Sequence, residues 1–255
     1  MTLIDMHSHI IPNIDDGAGD VSTSVKMLTQ SYLQGVGSVV STSHCYPKAP
    51  ESIEHFLLRR KAALNELNSA ISESDAMPRI YEACEVNMTT DISELRNISK
   101  LCIENTDYIL VEMPYTPWKE WMIDSVYKLS LRGLKPIMAH IDRFMTQNPE
   151  LLNALFELDV LYQVNAELFL DRRMTKVADK LIENGRAHVL GSDMHNLDKR
   201  KPNLKEAGDV IDSRYGNICL DQMTKNAQSI LNNEPIPHPI LNAQIKKGLF
   251  SRLFK

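Results

Sequence analysis

Histidines and carboxylates recur in this chain where short apolar runs end. Asp5-Met6-His7-Ser8-His9 puts three polar side chains at i, i+2 and i+4 of a strand, so that all lie on one face. His7 and His9 can then present imidazoles to one cation. Asp193-Met194-His195 repeats the device late in the chain, and in a closed barrel the first and last strands would bring the two motifs together. Between them come His44, Glu85, Glu112 and His140, each in or at the end of a strand-like run, with Asp15-Asp16-Gly17 in a turn after the first run. One divalent ion takes about four to six donors, so a set of this size suggests two or three ions with bridging carboxylates. Mixed His/carboxylate ligation suits manganese, iron or zinc, whereas calcium would take oxygen alone. Glu82 competes with Glu85 but cannot share its strand face, and Glu85 is preferred; Asp15 competes with Asp16 in the turn. His55 in a helical stretch, His188 near a strand start and His238 in a Pro-rich tail read as structural or solvated.

These donors need strands to hold them. Apolar, β-branched-rich runs at 3–9, 38–44, 79–86, 108–113, 136–141, 161–165 and 187–193 read as strands. Helical patterns fall at 22–35 (led by Asp20 as a cap and stopped by Gly35), 52–72, 118–133, 148–158, 174–185, 204–215 and 221–232. Such alternation predicts a parallel α/β architecture. No glycine-rich turn follows the first strand, and glycine is scarce, at 10 of 255 residues, which argues against a dinucleotide-binding sheet. Ligand-type residues at successive strand ends instead favour a TIM-like barrel. No Pro/Gly-rich linker interrupts the pattern, so one domain is expected over 1–233, followed by a tail at 234–255.

Composition narrows the function. With 28 Lys+Arg against 33 Asp+Glu the formal charge is −5, which argues against a general nucleic-acid binder. No apolar run approaches ~18 residues, and the N-terminus lacks the pattern of a signal peptide, so a cytoplasmic protein is expected. Cys45, Cys84, Cys102 and Cys219 are scattered singly, and the residues six positions after them are Glu51, Thr90, Tyr108 and Lys225. None has the arginine that a phosphate-cradling cysteine nucleophile requires, so all four read as core or surface thiols.

The motifs DMHSHIIPNIDDG, STSHCYP, the Glu85 strand, LVEMP, MAHIDRF and GSDMHNLDKRKP, in this order, resemble the polymerase-and-histidinol-phosphatase (PHP) superfamily. Within it they are similar to the manganese-dependent bacterial protein-tyrosine phosphatases of capsule and exopolysaccharide clusters, the CpsB/YwqE type. The resemblance spans about residues 3–232 and implies a distorted (β/α)7 barrel with three metals. It implies His7, His9, Glu85 and Asp193 for one ion, Glu85 as bridge with Glu112 and His140 for a second, and Asp16, His44 and His195 for a third. It also matches Arg143, three residues after His140, and Arg200, five after His195, both placed to fork onto phosphate oxygens. The His-Ile-Asp-Arg run departs from the family pattern, which commonly has Glu before the Arg.

The expected chemistry is hydrolysis of phosphotyrosine by a metal-bound hydroxide, the ions lowering the pKa of water from 15.7 towards ~7. A phenolate, with a pKa of ~10, leaves with less help from a general acid than an alkoxide does. The implied substrate is the tyrosine-rich tail of a membrane-associated tyrosine kinase. Alternatives are a histidinol-phosphate phosphatase on the same fold, a PHP nuclease, which the acid excess disfavours, and a non-catalytic scaffold, which would be expected to have lost some of these charges. From Pro235 to Lys255 the chain carries Lys246, Lys247, Arg252 and Lys255 among Ile245, Leu249, Phe250, Leu253 and Phe254, without an acid. Residues 240–255 could therefore touch a membrane surface or a partner as an amphipathic helix, or simply fray. An oligomer is compatible with all of this.

Overall fold

Strands and helices alternate along almost the whole of the computed structural model, which describes residues 2–71 and 76–236. In chain order the elements are β1 (Leu3–Ser8), α1 (Val21–Leu33), β2 (Val36–Ser41), β3 (His44–Cys45), α2 (Pro50–Ala70), β4 (Arg79–Glu82), β5 (Glu85–Asn87), β6 (Tyr108–Glu112), α3 (Glu120–Leu131), β7 (Lys135–Met138), α4 (Pro149–Phe156), β8 (Leu161–Asn165), α5 (Ala166–Leu170), α6 (Thr175–Glu183), β9 (Val189–Gly191), α7 (Leu204–Tyr215) and α8 (Asn217–Leu231). Every strand pair is parallel, in the orders β1-β2-β4 and β3-β5-β6-β7-β8-β9.

The expected strands 38–44 and 79–86 are each divided, at Thr42-Ser43 and at Ala83-Cys84. The ladder nevertheless continues across both breaks, through Thr42 N–H to Ser8 O at 2.8 Å, Ala83 N–H to Ser41 O at 3.0 Å and Glu85 N–H to Thr42 O at 3.0 Å. At the far side Ser8 bridges Met194, and Asp193 N–H donates to His7 O at 2.8 Å, so the first and last strands meet at their C-terminal ends. The result is a parallel α/β sheet curled into a distorted barrel.

Period-2 alternation explains the layers. On β6, Ile109 and Val111 pack with the larger core that includes Val126 and Leu129 of α3. Leu110, one position over, joins Ile137, Leu161 and Val189 of neighbouring strands and Ala227 and Ile230 of α8. Glu112 continues the Leu110 face, and Gln163 that of Leu161, so the apolar cluster leads along these faces to the polar strand ends.

Most helices fall where their periodicity puts them. Asp20 caps α1 by accepting from Thr23 N–H at 2.7 Å. Helix α8 starts at Asn217, directly after Gly216, earlier than the expected 221. Helix α5 was not anticipated, because Ala166-Glu167-Leu168-Phe169-Leu170 is too short to show a helical period. The tail expected at 240–255 lies outside the described residues. Among those described, no helix is long and apolar enough to cross a membrane.

Gly191 lets β9 lie close against β1 and β8. A Cβ there would sit 2.5 Å from the Cβ of His7 and 2.8 Å from Nε2 of Gln163. Gly191→Ala is therefore expected to cost about 1–3 kcal/mol by overpacking, read as a lower urea midpoint with an unchanged m-value. A midpoint equal to that of the parent would contradict this packing.

Candidate metal centre

The strand ends gather the expected donors around Glu85, which is 1% exposed. Its Oε1 lies 2.7 Å from Nε2 of His140, and its Oε2 lies 3.3, 3.4 and 2.9 Å from Nε2 of His7, Nε2 of His9 and Nδ1 of His44. Asp193 Oδ1 is 3.5 Å from Nε2 of both His7 and His9. Asp16 Oδ1, on the exposed side, is 3.4 Å from Nε2 of His44 and of His195. Glu112 lies 3.7 Å from His140 and 3.9 Å from His44. All nine sequence-expected donors thus come together. Three tight groupings emerge: His9, Asp16, His44 and His195; His7, His9 and Glu85; and His44, Glu85 and Glu112. The third takes His44 with Glu85 and Glu112, although His140 lies as near to both carboxylates, and His9 is common to two groups.

Hydrogen bonds behind the rings decide which atoms face inward. Gln163 Oε1 accepts from the His140 backbone N–H at 2.7 Å, which fixes it as an acceptor, so the Nδ1 of His7 at 3.0 Å must be its donor. His9 Nδ1 likewise donates to Asp15 Oδ2 at 2.8 Å. Both rings therefore turn Nε2 inward, and those nitrogens are only 3.1 Å apart. Two bare nitrogens at that distance repel unless a proton or a metal ion lies between them. Donor atoms bound to one ion at about 2.1 Å are themselves roughly 3 Å apart, which is the spacing seen here. His195 Nε2 and His140 Nδ1 are buried without hydrogen-bond partners among the described residues. The donor set thus fits divalent metal ions.

Charge follows the same logic. Burial opposes ionisation of Glu85, but the charge of His7 and hydrogen bonds from His140 and His44 outweigh it and hold the carboxyl well below its usual range. Burial likewise opposes ionisation of Asp193, and His7, Arg143, His9 and Arg200 overcome it. His9, despite burial, is raised to about 10 by its bonds to Asp15 and Glu85. His195 is pushed down to about 4 by burial and by the neighbouring His9 and Arg200, so its ring is a neutral donor. Glu112 is raised by burial and by Glu85.

The backbone is bent to deliver two of these groups. His140 (φ 30°) and Asp193 (φ 54°) occupy the left-handed region that L-residues seldom adopt. This is why the expected strands 136–141 and 187–193 stop early, at Met138 and Gly191. Gly17 makes room for the turn below His9, since a Cβ there would lie 2.3 Å from His9 O.

Arg143 and Arg200 sit at the mouth, their Nη2 atoms 2.6 Å from Oδ2 and 2.5 Å from Oδ1 of Asp193. Asp15 supports His9 and also accepts from His44 N–H at 2.8 Å, while Asp16 reaches the donor cluster. Glu82 points elsewhere, to Arg60 at 3.1 Å. Asp5, expected on the face of His7 and His9, instead accepts from Ser192 N–H at 2.8 Å and Ser192 Oγ at 2.5 Å. A register shift between Asp5 and Ser8 breaks the alternation that the sequence suggests. Sequence reasoning missed Gln163, Asn87 (2.6 Å to Glu112) and Asn165 (2.9 Å to Asp193), neutral amides whose partners lie far along the chain. All four cysteines are buried in the core, away from any role as nucleophile, and burial raises Cys45, Cys102 and Cys219 to about 12.

Fold and site together define a parallel α/β protein whose strand ends carry a His/carboxylate centre suited to divalent metal, guarded by two arginines. A family model described as "Capsular polysaccharide synthesis, CpsB/CapC" matches residues 3–232, and the chain belongs to that family. It is 28% identical over 253 residues to the tyrosine-protein phosphatase YwqE of Bacillus subtilis, covering 93% of this chain and 96% of that one. To the tyrosine-protein phosphatase CpsB of Streptococcus agalactiae it is 30% identical over 247 residues, covering 92% and 100%. A solved structure from work on YwqE of Bacillus subtilis and CpsB of Streptococcus pneumoniae, described as unique metal-dependent tyrosine phosphatases, superposes with a TM-score of 0.81 at 26% identity, covering 94% of this chain and 99% of that one.

Removing the support behind a ring should loosen the metal. Gln163→Leu is expected to weaken divalent-metal affinity by about 10–100-fold, measured by chelator competition. Unaltered affinity would show that His7 needs no such orientation.

Proposed function

We propose that this chain is a metal-dependent protein-tyrosine phosphatase, a PHP-type (β/α)7 barrel over residues 1–233. Its substrate is phosphotyrosine on a protein of capsule or exopolysaccharide synthesis, acted on in the cytoplasm; the tyrosine-rich tail of a membrane-associated kinase fits that description. The observation that carries the reading is the convergence of buried His and carboxylate donors beneath paired arginines. Membership of the family and the activity of its relatives support the choice of substrate.

His7, His9, Glu85 and Asp193 would hold one ion, Glu85, Glu112 and His140 a second, and Asp16, His44 and His195 a third, with manganese suited to this mixed set. Ions held there neutralise phosphate charge and acidify water. The protein supplies the rest. Asp15 and Gln163 set the tautomers of His9 and His7, and Asn87 and Asn165 position Glu112 and Asp193. Arg143 and Arg200 can exchange Asp193 oxygens for phosphate oxygens, each offering a planar fork that matches them. Direct transfer of phosphate to water, without a phospho-enzyme, agrees with the burial of all four cysteines.

Replacing His7 or His140 with Ala is expected to abolish turnover of a phosphotyrosine peptide and to lower metal content, read by elemental analysis. Full activity after exhaustive chelation, or a preference for histidinol phosphate, would overturn the reading. Arg143→Ala should instead keep its metal while losing on the order of a hundredfold in kcat, as for removal of one donor to developing charge. Parallel loss of metal would assign Arg143 to holding Asp193 rather than to phosphate.

A further inference from the structure

A groove with a cavity volume of about 460 Å³ opens from the exposed edge of the metal centre. It begins at Asp16 and His44, passes Tyr46, and runs along α2 past Ser52 and His55 to Arg59. The tyrosine ring stands 5.6 Å from that of His44 and is 52% exposed, so it forms an aromatic step between centre and groove. Ser52, His55 and Arg59 are spaced three and four residues apart and share one face of the helix. From Ser52 to Arg59 the helix rises roughly 10 Å, the span of about three extended residues. Arg59 is exposed, yet one arm of its guanidinium is anchored, Nη2 donating to Ile14 O at 3.0 Å. Lys48 is exposed on the loop leading into α2, and its backbone N–H donates to Ser52 Oγ at 3.0 Å.

Free phosphotyrosine needs only the centre and its arginines. A peptide entering the centre must also lay its flanking residues somewhere, and this groove is continuous with the centre and carries positive charge at its far end. We propose that the groove is a substrate subsite: it receives the chain on one side of the phosphotyrosine and selects an anionic group there, a carboxylate or a second phosphate, through Arg59. The proposal rests on the phosphatase reading above. An arginine fork suits either anion, and its exposure sets the strength at that of a surface ion pair.

The test compares kcat/KM, with the metal-loaded full chain, for phosphotyrosine peptides flanked by Ala, by Asp/Glu, by Lys, or by a second phosphotyrosine. Free phosphotyrosine is measured alongside. The parent protein should favour one or both anionic flanks over Ala by about fivefold, the upper end for a solvent-exposed ion pair. Which flank gains more tells carboxylate from phosphate. Arg59→Gln should bring that ratio to about one, Arg59→Lys should restore part of it, and Arg59→Glu should turn the preference towards Lys. Taking the ratio within each variant cancels any loss of fold or metal, including one caused by freeing Ile14 O. A parent ratio of one, or a ratio that ignores the charge at position 59, overturns the subsite. Failure to hydrolyse even free phosphotyrosine is a different result: it overturns the phosphatase reading, and the subsite with it.

Discussion

Two imidazole nitrogens directed at each other across 3.1 Å, beside a buried carboxylate, set the terms for the rest of this molecule. Burying ionisable groups costs free energy unless opposite charge compensates it, and repulsion between like dipoles adds to that cost. Protons can supply the compensation, as the raised His9 indicates, and divalent cations can supply more of it. A centre of this kind is built to be filled. Its stability and its chemistry are therefore two consequences of one concentration of charge.

Holding that concentration in place requires strain and support. The left-handed backbones of His140 and Asp193 swing side chains inward past the point where a regular strand would leave them. Such conformations persist only where the surroundings over-determine them. Gln163, itself held by Asn165 at 2.8 Å, ties His7 to the backbone of His140 and so links β1, β7 and β8 through one side chain. Gly191 allows β9 to press against His7, and the meeting of Ser8 with Met194 completes the wall. Support and closure fall on the same few residues, which couples the geometry of the fold to that of the site.

The arginines face outward from the same constraint. Both reach Asp193, whose Oδ1 also faces His7 and His9, so a phosphate approaching the mouth meets cations already arrayed around one carboxylate. Towards Asp16 and His44 the centre opens onto the groove along α2, where the charge is no longer buried and works by selection rather than by force.

Much of this was legible in the sequence, because metal ligands must be His or carboxylate and parallel strands present them at their C-terminal ends. The strand-and-helix rhythm, eight of the nine donors and the preference for Glu85 over Glu82 followed from residue type and period, whereas the choice of Asp16 over Asp15 and both arginines came only from the family resemblance. What escaped was whatever depended on partners distant in the chain. Asp5 matched the period but was drawn to Ser192 by a register shift that no local pattern encodes. Asn87, Gln163 and Asn165 carry no chemical signature of their own, since a neutral amide gains a role only from what it meets. The same holds for the breaks in two strands and the early ends of two others, which follow from closure and from left-handed turns. The sequence by itself determined which groups could bind and act, because that is a property of side chains. Only the tertiary structure decided which nitrogen faces inward, which aspartate supports and which reaches the centre, because those depend on hydrogen bonds between strands that the chain brings together only when it folds.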